Sequence, residues 1–235
     1  TDVLIEGVPH VQQKPDFCGE ACAEMFLQTL GSPVDQDAVF SLTGVDPTEG
    51  RGAHTAELAR ALKGLGFNIG VVWHEVDASR PERGLELLWR DLHRDLKRGV
   101  PSIVCMHYDD QPKSTEHFRL ILGYDAKQDT VIYHEPAAAD GAYRRMKRDA
   151  FFSLWPLKYD KDRWTVIRFV LDTHGIKAVP KAQGRSDADY AQHILELRKT
   201  LPRGFTVVLE RPFVVVGDEK PAMVKRRAKS TVAWA

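Results

Sequence analysis

The 235-residue chain has no apolar run near the ~20 residues needed to cross a bilayer, so no membrane span is expected. It has no excess of either charge: Lys and Arg total 33, as do Asp and Glu. That removes both the basic footprint of a nucleic-acid binder and the acidic surplus of a disordered or metal-rich chain. It has no HExxH, no paired CxxC, no glycine-rich phosphate loop and no GxSxG. No metal or other cofactor is therefore expected. The three cysteines, Cys18, Cys22 and Cys105, are too few for a disulfide framework. No export signal is visible at Thr1, and a start without Met leaves room for one removed earlier. Internal repeats and low-complexity tracts are absent as well.

Helical periodicity is present over residues 18–30, 35–42, 54–65 and 81–98, with Asp35 placed to cap the second and Gly66 and Gly99 to end the last two. Strands are predicted over 67–73, 101–107, 117–124, 130–135 and 164–171, with an extended entry over 5–11 and an aromatic cluster, read as a short helix, at 151–155. Helices first and strands later is the order of an α+β domain. Composition shifts to Pro, Gly and Lys over 172–185. The expected division is a domain over 1–172 and a small α/β extension over 173–235 that begins a further domain or serves as an appendage. The extension is read as a helix over 187–201 capped by Ser186, two short strands broken at Arg211-Pro212, and a last helix ending at Trp234.

The chemistry-bearing stretch is VQQKPDFCGEAC, residues 11–22. Pro15 and the lack of helical pattern up to Phe17 make it a loop that opens into the first helix at Cys18. Free N–H groups and the positive end of the dipole at a helix N-terminus favour a thiolate, the nucleophilic form of cysteine. Gln12, six positions earlier, has an amide that can reach back beside the sulfur and donate to an oxyanion, with the Cys18 N–H as second donor. Cys22 and Cys105 read as packed core.

The run VPHVQQKPDFCGEACAEMFLQTLG resembles the N-terminus of papain-like cysteine peptidases, and most closely the bacteriocin-processing (double-glycine leader) peptidases and their stand-alone relatives. The resemblance extends over about residues 8–171. It implies a papain-like α+β fold, with the nucleophile helix packed on an antiparallel sheet that carries the base. HFRLILGYD, residues 117–125, resembles the stretch of the same family in which His is the general base, so it selects His117 among nine histidines. His74 and His107, which end apolar strands, are weaker candidates. The family then has Asp or Asn before a Pro; here YHEPA puts Glu135 in that place. If the hairpin between the two strands centres on Lys127, His117 faces Ala137 and Glu135 is a diagonal neighbour on the same face. A one-residue shift would bring in His134 instead. Gly19 and Glu116, flanking the two main residues, are the expected substrate contacts. The reading is thiol-dependent hydrolysis of a peptide or protein substrate by Cys18, His117, Glu135 and Gln12. The alternatives are a peptide-binding module without turnover, because Glu replaces Asp, and an acyl or amide transferase using the same residues.

Overall fold

The computed structural model of the chain describes residues 1–180 and 184–232. Helix α1 (Cys18–Thr29) starts at the predicted cysteine and is buried from Gly19 to Leu27, so it is a core helix and not a half-exposed one. Helix α2 (Gln36–Ser41) is capped by Asp35, whose side chain accepts from the Ala38 N–H. Helix α3 (Thr55–Leu65) stops at Gly66, which takes the left-handed φ of 102° that a side chain would resist. Helix α4 (Pro81–Lys97) turns Leu85, Trp89, Leu92 and Leu96 inward.

These helices pack on one antiparallel sheet. Its order is β2 (Trp73–Asp77), β7 (Arg163–Val170), β3 (Ser102–His107), β4 (Glu116–Asp125), β5 (Thr130–His134) and β6 (Arg144–Lys147), with β1 (Val3–Leu4) pairing to the far end of β4. One face is covered by α1 and α3, whose Cys22, Met25, Leu58 and Leu62 meet Cys105, Phe118, Leu120 and Phe169. The other face is covered by α4 and by α5 (Arg148–Leu154), whose Trp89, Leu92 and Phe151 meet Val104, Met106 and Ile121. Burial on both faces is why β3 and β4 read as nearly unbroken apolar runs. The expected papain-like layout, a nucleophile helix on an antiparallel sheet, is the one found.

One local expectation needs correction, and two strands, β1 and β6, are not announced by the sequence. The strand predicted over 67–73 does not form, because Gly70 turns the backbone (φ 65°); Asn68 makes only an isolated bridge to Asp172 and β2 begins at Trp73. The extended entry over 5–11 stays outside the sheet, and β1 lies earlier. β6, Arg-Arg-Met-Lys, has little strand propensity and forms because β5 offers it an open edge.

The β4–β5 hairpin reaches the expected register by an unexpected route. Asp125 pairs with Thr130 and Tyr124 with Val131, which centres the turn between Lys127 and Gln128. A bulge between Ile121 and Gly123 then shifts the ladder by one, so that Ile121 pairs with Tyr133 and Leu120 with His134. That is the pairing a turn centred on Lys127 would give. It carries on to set Arg119 opposite Glu135.

In the C-terminal segment, α6 (Asp187–Thr200) is capped by Ser186, and β8 (Thr206–Glu210), β9 (Phe213–Gly217) and α7 (Pro221–Thr231) follow. The predicted end of the last helix at Trp234 lies outside the described residues. α6 does not stand apart. Its Ala188 and Ala191 share a cluster with Phe17, Phe40 and Val45, and the Gln192 side chain donates to the Pro15 carbonyl at 2.8 Å. Arg198 donates to the Thr48 carbonyl at 2.8 Å, and Ile194 packs under Gly50. The segment thus braces the loop that precedes Cys18. Ile194→Ala is expected to lower the stability of the whole chain by about 2–5 kcal/mol in a single denaturant transition. Two separated transitions, with the first 170 residues unaffected, would contradict that coupling.

One carboxyl on α1 has no charge partner. Glu20 is fully buried; its Oε1 accepts from the Ala53 N–H at 2.7 Å, and its Oε2 has no partner among the described residues. Burial pushes the carboxyl from 4.5 up to about 8 despite the Ala53 N–H, and Glu57 and Asp16 add to the rise. Below pH 4.5 both folded and unfolded chains hold the proton; above it only the unfolded chain ionises, so stability falls as pH rises towards 8. Glu20→Gln keeps the acceptor for Ala53 and removes this slope. Its melting-temperature gain over the native chain should grow from pH 5 to pH 8, and a gain independent of pH would mean that Glu20 is ionised in the fold.

Candidate active site

A tight turn delivers the cysteine. The Phe17 N–H donates to the Lys14 carbonyl at 2.9 Å, and Asp16 takes a left-handed φ of 64°. Phe17 is the N-cap of α1 but supplies no side-chain cap, so the N–H groups of Cys18 and Gly19 stay available at the sulfur. Gly19 is buried, and a Cβ there would lie 2.7 Å from Leu58 Cδ2 and 3.1 Å from Phe118 Cδ2. Its smallness lets α1 settle on β4. It is not among the residues that line the cavity, and it packs against Leu58 and Phe118.

His117 opens β4 on the face opposite Phe118, and its Nε2 is hydrogen-bonded to Glu135 Oε1. Glu135 is 2 % exposed, and it also accepts from the Ala137 N–H at 3.0 Å and from Arg119 Nε at 2.7 Å. Burial alone would raise this carboxyl. The hydrogen bond and electrostatic attraction from His117, the Arg119 cation and the Ala137 N–H together outweigh burial and hold it at about 2. An ionised carboxylate only accepts, so His117 must donate from Nε2, which leaves Nδ1 with its lone pair. The Tyr108 ring stands edge-on to the imidazole with centroids 5.1 Å apart.

The alternative orienter, His134, is engaged elsewhere. The Tyr143 N–H donates to its Nδ1 at 2.9 Å, so its Nε2 carries the proton and donates to the Val8 carbonyl at 2.9 Å. It is a neutral, fully buried strut. His10 likewise meets the Glu135 carbonyl at 2.8 Å. Neither His74, bonded to the Val71 carbonyl, nor His107 reaches the cavity wall.

Cys18 and His117 line one cavity of about 480 Å³, together with Gln13, Gly52, Tyr108 and Glu116. Gly52 is required there, because a Cβ would fall 1.9 Å from the Asp16 carbonyl oxygen. Glu116 is exposed at the rim and accepts from the Tyr159 hydroxyl. Gln12 is not on the wall: it is exposed, and its carbonyl accepts from Gln36 at 3.2 Å. Gln13 is there instead, with its N–H on the Pro136 carbonyl at 2.9 Å and its Oε1 buried without a partner among the described residues. A larger cleft of about 860 Å³, between the α1–α2 turn and residues 173–180, lies away from Cys18.

The sulfur does not behave as helix position alone suggests. Cys18 keeps some exposure, yet burial pushes its thiol from 9.0 up to about 12. The N–H groups of Phe118, Gly19 and Cys18 pull the other way, and the charge of Glu20 adds to burial. Such a rise is roughly 4 kcal/mol against ionisation, whereas a helix terminus contributes at most ~2. Burial wins, and the isolated sulfur is a neutral thiol.

Two residues at or beside the cavity were not singled out from the sequence. Gln13 was hidden beside a second Gln, and only the turn geometry separates them. Arg119 had a signal: a lone charge inside an apolar strand, two positions from His117.

The sequence model of the Peptidase_C39 like family matches residues 5–163. None of the curated proteins matches the chain. Among solved structures, the chain is similar to a Bacillus anthracis protein described as a C39-like peptidase, at 17% identity and TM-score 0.48 over 74% of this chain and 99% of that one. It is also similar to the peptidase domain of Streptococcus ComA, a bi-functional ABC transporter involved in a quorum-sensing pathway, at 16% identity and TM-score 0.41 over 68% and 96%. The family match spans well over half of the sequence, and the chain belongs to the Peptidase_C39 like family.

Proposed function

We propose that this member of a cysteine-type peptidase family hydrolyses a peptide or protein substrate, with Cys18 as nucleophile, His117 as base, Glu135 as orienter and Gln13 as oxyanion donor. The observation that carries the reading is the His117–Glu135 bond beside a cavity that His117 shares with Cys18. The proton passes from Sγ to Nδ1 of His117, and the ionised Glu135 stabilises the resulting imidazolium. The thiolate attacks the substrate carbonyl carbon. The Cys18 N–H and the Gln13 amide NH₂ receive the oxyanion. His117 gives its proton to the leaving nitrogen and the C–N bond breaks. It then takes a proton from water as that water attacks the thioester, and Cys18 is regenerated.

This assigns to Gln13 the role expected of Gln12. Gln13→Ala should lower kcat/KM for a peptide substrate by about 10²–10³, and Gln12→Ala by less than about threefold. The reverse order would return the role to Gln12.

Alkylation tests the pair without knowledge of the substrate. A thiol at about 12 is ionised to only ~10⁻⁶ at pH 6, well below a free cysteine. Iodoacetamide at pH 6 should nevertheless modify Cys18 faster than free cysteine, and His117→Ala should drop the rate below it. Cys22 and Cys105 are buried and stay unmodified. A native Cys18 as unreactive as that in His117→Ala leaves only a peptide-binding cleft.

A further inference from the structure

Arg119 has no part in the mechanism so far, yet it is among the costliest residues in the sheet. It is 4 % exposed in the middle of β4, between the apolar Phe118 and Leu120. A buried guanidinium is tolerated only when its donors are used. Here Nε donates to Glu135 Oε2 at 2.7 Å, Nη1 to the His107 carbonyl at 3.1 Å and Nη2 to the Tyr108 carbonyl at 2.8 Å. Its Cζ lies over the Tyr108 and Tyr133 rings, 5.4 and 5.6 Å from their centroids.

We infer that Arg119 is a positioning residue that fixes the tautomer of His117 by keeping Glu135 an acceptor. The inference rests on the catalytic reading of His117 and Glu135. A carboxyl this buried beside a neutral imidazole would otherwise take up a proton. A protonated Glu135 would donate to Nε2, drive the imidazole proton to Nδ1 and leave no lone pair to receive the Cys18 proton. The Arg119 cation removes that outcome. Oε2 is committed to Nε of Arg119, so Oε1 is held for Nε2–H of His117. The longer reach of Glu, compared with Asp, lets one carboxylate hold both partners. The same guanidinium ties down the start of the 108–115 loop, where Tyr108 packs against His117.

Every polar neighbour of Glu135 is consistent with this. His117 and Arg119 face it from β4, and the Ala137 N–H caps Oε1 from the following turn. Tyr133 on β5 and Cys22 on α1 are weak acids that burial pushes up, so both stay neutral, and the Tyr108 ring lies against Arg119. His10 meets only the Glu135 carbonyl. Among the described residues Arg119 is the one permanent cation that touches the carboxylate.

The test is Arg119→Gln beside Arg119→Lys, read by kcat and KM against pH and by ¹⁵N NMR of the His117 ring. Fixing a catalytic tautomer is worth up to about 10⁴ in kcat. Arg119→Gln should lose at least about 30-fold in kcat at pH 6 with KM within about threefold, and should recover as pH rises and Glu135 ionises. Its ring should move to the Nδ1–H form at low pH. Arg119→Lys keeps the charge and loses the fork. Its ring should stay Nε2–H, its acid limb should match the native one, and kcat should fall about five- to tenfold. Equal losses in both variants at every pH, or an Nδ1–H ring in the native chain, would overturn the inference. If Arg119→Gln does not fold, an acid limb displaced in Arg119→Lys overturns it alone. The NMR reading needs no turnover, so a native chain that cleaves nothing defeats the peptidase reading while the tautomer is still decided.

Discussion

The structure turns on one buried negative charge. Glu135 lies between β5 and a tight turn, almost wholly out of water, and remains ionised because His117, Arg119 and the Ala137 N–H converge on its two oxygens. Nothing about that arrangement survives a change of register. A slip of one residue between β4 and β5 would turn His134 to the site and carry Glu135 to the opposite face. The bulge between Ile121 and Gly123 is therefore part of the site, although it lies several residues away. Both flanks of Glu135 are pinned too: His134 is bonded at both ring nitrogens, and the Glu135 N–H donates to the Gly141 carbonyl.

Much of this was legible in the sequence because it depends on local rules. Asp35 and Ser186 cap the helices they precede, Gly66 ends α3, and Cys18 opens α1 as the onset of periodicity requires. Glu135 as the neighbour of His117 followed from strand alternation. The register argument behind it was right in outcome and wrong in cause, since a centred turn and a bulge compensate. What stayed hidden depends on distant partners. β6 has no strand character of its own and exists through β5. That Gln13 lies on the cavity wall and Gln12 does not goes with the positive φ of Asp16 and with the Pro136 carbonyl, which no spacing rule contains. Gly19 has the right neighbour for a site residue and a packing reason for being there.

The division of the chain is the least local property of all. The family match ends at residue 163, yet the turn before Cys18 is held from the far end of the sequence. Phe17 stacks on Phe40 at 4.9 Å, and both are closed over by Ala188 and Ala191 of α6. The Gln192 amide reaches the Pro15 carbonyl inside the same turn. A composition change over 172–185 marks a connection, but it does not mark where cooperative packing stops. Cores are defined by contact and not by sequence. Whatever orders Pro15 and Asp16 also orders the N–H groups at the sulfur, so α6 contributes to the geometry of a site that it never touches.

The raised thiol then explains why the pieces must come as a set. Ionising Cys18 alone would put an uncompensated charge where burial already opposes it, and the helix terminus is too weak to reverse that. Moving the same proton to His117 creates no net charge. The sulfur becomes negative while an imidazolium forms against a carboxylate that is already ionised. That carboxylate is ionised in advance with the help of the Arg119 cation beside it, together with His117 and the Ala137 N–H. In the proposed mechanism thiolate, imidazolium, carboxylate and guanidinium would alternate in charge, each making the ionised form of its neighbour tolerable in a dry interior. Removing an interior member does not weaken the series by one contact; it leaves the next charge without a partner, which is the costlier loss.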